Sequence, residues 1–179
     1  MKLSRILFIL LSFTFISLNS QILDPVEWSF DSKKIEENKY VLFFTADIDT
    51  NWAIYSKTVE EGGPIPTTFY FKESSNYKLI GEVVEDSINM VRENDPIFNM
   101  MLSKFYRQAI FSQIVEIINI DEAISGNFEF MTCDDEKCLA PEIVDFSFDF
   151  STKSVEYSNE ERTVNQDNLE KNNLNLYGF

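Results

Sequence analysis

The stretch Tyr40-Val41-Leu42-Phe43-Phe44-Thr45-Ala46-Asp47-Ile48-Asp49 decides the fold class. Leu42, Phe44, Ala46 and Ile48 fall on one face of an extended chain and Val41, Phe43, Thr45 and Asp47 on the other. A period of two belongs to a strand with one face buried. Phe146, Phe148 and Phe150 alternate with Asp145, Ser147 and Asp149 in the same way. Similar runs occupy residues 26–30, 52–56, 67–72, 77–80, 105–118 and 127–132, parted by clusters of Asp, Asn, Gly and Pro. Short strands at such spacing predict an all-β fold, an antiparallel β-sandwich of roughly 100 to 130 residues.

Two punctuated segments break the pattern. Glu60-Glu61-Gly62-Gly63-Pro64-Ile65-Pro66 must be a loop, because the glycines admit unusual dihedrals and the prolines cannot donate ladder bonds. Glu93-Asn94-Asp95-Pro96-Ile97-Phe98-Asn99-Met100-Met101 is a turn signal that runs straight into bulky apolar residues. Residues 121–126 fit either a helical turn or a loop.

At the start, Met1 to Ser20 has the form of a secretory leader. Lys2 and Arg5 make a charged head, an apolar run follows from Ile6 to Leu18, and the small Ser20 precedes Gln21. The run is short of the about 20 apolar residues a membrane span needs, so a cleaved signal is favoured over a retained anchor. The division expected is a signal at 1–20, a domain at 21–150 and a polar, flexible tail at 151–179, which is rich in Asn, Glu and Ser. An exported chain meets an oxidising compartment, periplasmic or secreted, where disulfides persist.

Composition removes several classes of function. The formal net charge is -15, and losing Lys2 and Arg5 with the leader makes the rest more acidic still. Phosphate backbones would repel such a chain, so no nucleic acid and no anionic membrane surface is expected as a partner. The sequence holds no histidine, which removes the commonest general base and metal ligand. No cofactor and no metal is expected: with two cysteines and no histidine a zinc site would need an uncommon set of carboxylates.

The two cysteines stand in Phe130-Met131-Thr132-Cys133-Asp134-Asp135-Glu136-Lys137-Cys138-Leu139-Ala140-Pro141. A pair so close can close into a disulfide without reshaping the protein. A ring of about six residues stabilises by only roughly 2 kcal/mol in the chain-entropy model, a weak structural reason for the pair. Exchange chemistry needs a thiolate, an attackable sulfur and access in line with the bond. Asp134, Asp135 and Glu136 disfavour a thiolate unless Lys137 offsets them, so a reduced pair should react slowly with stray oxidants. The cysteines are thus open to two readings, a redox pair or an inert staple.

The order Trp52-Ala53-Ile54-Tyr55-Ser56, Gly63-Pro64-Ile65-Pro66-Thr67, Asp95-Pro96-Ile97-Phe98 and the cysteine segment through Pro141 resembles the N-terminal periplasmic domain of the thiol:disulfide interchange protein DsbD, over residues 24–150. The resemblance implies an immunoglobulin-like sandwich whose pair, Cys133 and Cys138, exchanges electrons with other proteins. On it, Cys138 forms the mixed disulfide with partners and Cys133 resolves it. Phe98 caps the disulfide, Tyr55 lies beside it, and Asp95, Asp134, Asp135 and Pro141 flank the site. The family's cysteine segment is often one residue longer, with proline where Ala140 stands. The family's membrane and thioredoxin-like domains have no counterpart in these residues, so the expected donor is a thioredoxin-like domain or membrane thiol reductase on another chain. The expected acceptors are exported disulfide-containing proteins, and the domain itself is expected to be a monomer. The other reading of the same residues is a non-catalytic secreted binding or chaperone-like β-sandwich with a structural disulfide. In that reading Phe98, Trp52 and Tyr55 are ordinary core.

Overall fold

The computed structural model describes residues 23–151, so the expected leader, and the expected tail apart from Ser151, lie outside the described residues. Among the described residues there are eleven strands and no helix: β1 (Val26–Lys34), β2 (Lys39–Ile48), β3 (Ala53–Tyr55), β4 (Thr68–Phe71), β5 (Tyr77–Glu85), β6 (Met90–Asp95), β7 (Met100–Tyr106), β8 (Gln108–Ile117), β9 (Ile124–Phe130), β10 (Thr132–Cys133) and β11 (Glu142–Phe148). They pair antiparallel into three sheets, in the orders β1-β2-β8-β5, β10-β3-β7-β6 and β11-β9-β4. The first sheet packs against the other two, and the result is an all-β sandwich of the immunoglobulin-like kind.

The alternation in β2 explains its place. Leu42, Phe44, Ala46 and Ile48 are all buried, in register with Phe111 and Ala109 of β8 on one side and with Phe30, Trp28 and Val26 of β1 on the other. Aromatic side chains carry the core because each buries a large area and its quadrupole favours tilted contacts. Phe44 sits at its centre, with ring centroids 4.9 Å from both Phe69 and Phe146 and 5.5 Å from Phe148. Trp28 closes one side, 4.4 Å from Phe128.

Residues 105–118, read from the sequence as one strand, are two. Arg107 adopts a positive φ of 68°, and the chain turns there from β7 in the second sheet into β8 in the first. The Arg107 carbonyl accepts from Ile48 N–H at 2.7 Å, which fixes the corner to the end of β2. Glu93 and Asp95, read as turn, are the last residues of β6, and the turn itself is confined to residues 96–99. Of residues 121–126, Asp121 lies in a turn with Ile120 and Ile124 to Gly126 open β9, without helix.

Candidate functional site

The second sheet has two faces of different character. Ile54 of β3, Phe105 of β7 and Met90 of β6 lie on cross-strand register and belong to the main core. The next residues along each strand point the other way. Tyr55 therefore shares the outer face with Lys104, its cross-strand partner, and Cys133 shares it with Ala53. Tyr55, Leu102 and Cys133 form a second, smaller apolar cluster there, with Val59, Phe98, Met100, Met131 and Cys138 packed against it. The cysteine pair thus lies on the outside of the sandwich wall rather than in its core.

Cys133 and Cys138 form a disulfide. They are partners in an isolated antiparallel bridge, with Cα atoms 4.0 Å apart. Asp134 N–H donates to the Lys137 carbonyl and Leu139 N–H to the Thr132 carbonyl, each at 3.0 Å, so the cysteines occupy the narrow, non-hydrogen-bonded position between two ladder bonds. The tip is closed by Asp134, whose Oδ1 accepts from Glu136 N–H and Lys137 N–H at 2.8 Å each. Those two bonds hold the Asp134 carboxyl below its ordinary pKa. Thr132 Oγ1 donates to the Ala53 carbonyl and ties the hairpin to β3. The hairpin is therefore held by backbone and turn bonds as well as by sulfur. Cys133 is buried at 3 % exposure, whereas Cys138 is half-buried. Asp135 and Pro141 are exposed. Lys137 places its ammonium 5.8 Å from the centre of the Trp52 ring.

Asp95 organises the turn that carries Phe98. Its side chain is buried, with Oδ1 accepting from Ile97 N–H at 2.9 Å and Phe98 N–H at 3.0 Å. Oδ2 accepts from the Tyr55 hydroxyl at 2.9 Å and faces the Lys104 ammonium at 3.2 Å. Asn99, at a φ of 52°, closes the turn by donating its N–H to the Asp95 carbonyl. One carboxylate thus joins the turn to the sheet. The Phe98 ring meets Tyr55 edge-on, with centroids 6.1 Å apart and planes at 86°.

Lys104 also bonds Glu93 at 3.0 Å, and Tyr106 donates its hydroxyl to the same carboxylate. Burial pushes the Asp95 carboxyl up, but the hydrogen bonds it accepts from Phe98, Tyr55, Ile97 and Lys104 outweigh that and hold its pKa below the ordinary value. Burial alone would lower Lys104, yet Glu93, Tyr106 and Asp95 around it raise it above the usual lysine range. Burial first, then the bond to Asp95, pushes Tyr55 well above the tyrosine range.

The structure brings Cys133, Cys138, Phe98 and Tyr55 into one cluster and Asp95 onto its edge. Sequence reasoning missed Lys104, Leu102, Glu93 and Tyr106. Their signal was present: Met100, Leu102, Lys104 and Tyr106 keep one phase of a two-residue period in β7, and Glu93 and Asp95 keep the matching phase of β6. No cluster of three or more metal-ligating His, Cys, Asp or Glu side chains occurs among the described residues.

No family model and no curated protein matches the sequence. Solved structures do match in fold. The N-terminal periplasmic domain of ScsB from Proteus mirabilis superposes with a TM-score of 0.54 at 12% identity, covering 72% of this chain and 47% of that one. This chain therefore spans about half the length of the ScsB structure it matches. The reduced DsbD N-terminal domain of Neisseria meningitidis gives 0.46 at 10% identity, over 67% of this chain and 83% of the other. The GAE domain of yeast GGA1 gives 0.40 at 13%, over 72% and 95%. The first of these likenesses places the sandwich fold.

Proposed function

We propose that this domain is an exported thiol:disulfide exchange module. It carries electrons through the Cys133/Cys138 pair between a thioredoxin-like donor and disulfide-bearing acceptor proteins. The observation that carries the reading is the setting of the disulfide: it spans a hairpin that its own backbone bonds hold closed, on the outer face of the sheet, beside an aromatic turn. Breaking the sulfur bond there costs little structure, which suits a pair that cycles.

The unequal exposure of the two cysteines supports distinct roles. A donor thiolate attacks Sγ of Cys138, the S–S bond breaks, and Cys133 leaves as a thiolate and takes a proton. The donor's second thiol then attacks its own sulfur in the mixed disulfide, so the donor ends as a disulfide and Cys138 as a thiol. In the forward step the Cys138 thiolate attacks an acceptor disulfide, and Cys133 resolves the intermediate and restores the intramolecular bond. The carboxylates of Asp135 and Glu136 beside the pair disfavour a free thiolate, so turnover awaits a docked partner.

The test is reduction by a purified thioredoxin-like protein, followed by thiol counting and circular dichroism. The disulfide should open while the β signal stays unchanged, and Cys133→Ser should trap a mixed disulfide through Cys138 that Cys138→Ser does not form. A bond that resists until the sandwich unfolds, as structural disulfides below about -300 mV do, would make the domain a binding module with a staple.

A further inference from the structure

We propose that Lys104 is a positioning residue for the exchange site: through its ion pair with Asp95 it holds the Phe98 turn down over the Cys133–Cys138 disulfide. The inference rests on the exchange role proposed above. Lys104 is 4 % exposed, an uncommon place for a lysine unless it is paired. Its ammonium reaches two carboxylates, Glu93 at 3.0 Å and Asp95 at 3.2 Å, and lies 5.5 Å from the Tyr106 ring centre. The groups facing Asp95 are Tyr55 from β3, Lys104 from β7 and the N–H groups of its own turn, with Glu93 and Tyr106 one step further along the same network.

An isolated buried carboxylate would protonate or leave, because charge in a poorly solvated place needs a partner. Lys104 supplies that partner and leaves Oδ1 of Asp95 as an anion, the stronger acceptor for the Ile97 and Phe98 N–H groups. A turn of four residues has few other ties: the described backbone bond across it is Asn99 N–H to the Asp95 carbonyl. The order of Phe98, and so access to the half-buried Cys138 in the same apolar cluster, depends on a charge one strand away. Lys104 acts on the turn through Asp95.

The experiment reads the rate at which dithiothreitol reduces the disulfide in the folded protein, its two thiols becoming a cyclic disulfide as Cys133 and Cys138 become thiols. Lys104→Met should raise that rate about tenfold, the scale expected for losing one charge-assisted tie. Phe98→Ala should raise it by a similar factor. The double variant should be no faster than Phe98→Ala alone, and Lys104→Arg should restore the slow rate. A folded Lys104→Met with an unchanged rate, or effects that multiply in the double variant, would overturn the proposal. If Lys104→Met does not fold, the ion pair is broken by acid instead, in wild type and Phe98→Ala, with a water-soluble phosphine as reductant. The ratio of the two rates should approach one as pH falls below 3.8, the ordinary value under which Asp95 is held, and Asp95 protonates. A flat ratio in natively folded protein refutes the latch. Reduction by a small reagent does not involve a protein partner, so the failure of this inference and of the exchange role are read separately.

Discussion

At the scale of single residues, Phe98 and Asp95 divide one task. Asp95 spends both carboxylate oxygens, one on the turn and one on the sheet, and Phe98 rides on the turn so held. Replacing Phe98 by alanine removes a ring that is only half-buried, so the stability cost should be about 1–2 kcal/mol, below the range for a fully buried phenylalanine. The kinetic effect should be larger than the thermodynamic one. Reduction by glutathione should speed up about tenfold, while reduction by a thioredoxin-like protein, which on the proposed exchange role displaces the ring when it docks, should change by less than about threefold. Stopped-time thiol counting separates the two rates, and equal acceleration of both would mean that the ring does not discriminate by size. The turn was legible in the sequence because a proline-bearing segment beside bulky apolar residues stands out, and the family resemblance singled out Phe98 and Asp95 within it. Lys104 was not, since a charged side chain in a short strand reads as solvent-facing until its two carboxylates are brought across the sheet.

At the scale of elements, the strands whose alternation was regular were legible and the corners were not. β2 and the phenylalanines of β11 carry their buried face in the letters themselves, whereas 105–118 mixes apolar residues with Arg107, Gln108, Ser112, Gln113 and Glu116 along its length and hides the change of sheet at Arg107. Nothing in the chemistry of arginine announces a positive φ, so the corner comes from tertiary structure. Two glycines have legible reasons after the fact. Gly81, at a φ of 71°, sits where the β5–β8 register shifts, a bulge in an edge strand. Gly126 in β9 has no room: an added Cβ would lie 2.1 Å from the Tyr70 carbonyl oxygen and 2.7 Å from the Phe146 ring. Backbone cannot step aside as a flexible side chain can, so Gly126→Ala should cost about 3 kcal/mol and lower Tm by roughly 10 °C. Thermal unfolding checks it, and a Tm within about 2 °C of wild type would show that β4 and β9 are less tightly joined than the register implies.

At the scale of the whole molecule, the site and the main core are separate apolar clusters on opposite faces of one sheet, and this separation predicts how stability responds to redox state and pH. Opening the disulfide frees a ring of about six residues, so reduction should lower stability by only about 2 kcal/mol and leave one cooperative transition by circular dichroism. A reduced chain that lost its β signal would tie the fold to the bond. The pH response follows from the buried network. Asp95 and Glu93 are held below their ordinary values of 3.8 and 4.5, so each binds its proton more weakly folded than unfolded. The stability they contribute is complete above those ordinary values and is lost as pH falls through the lower, folded ones. Lys104 and Tyr55 have the opposite sign: both are raised above ordinary values of 10.5 and 10.0. Their contribution is complete below those values and is lost as pH climbs through them toward the folded ones. Urea midpoints should therefore hold a plateau from about pH 5 to 9, with an acid limb below about pH 4 and an alkaline limb above about pH 10. The chain is strongly acidic, and its exposed carboxylates also titrate on the acid side, so the informative quantity is the difference from Asp95→Asn. That variant should be weaker than wild type on the plateau and converge with it as pH falls below 3.8, where wild-type Asp95 takes up its proton. A constant difference across that range would remove Asp95 from the charged network.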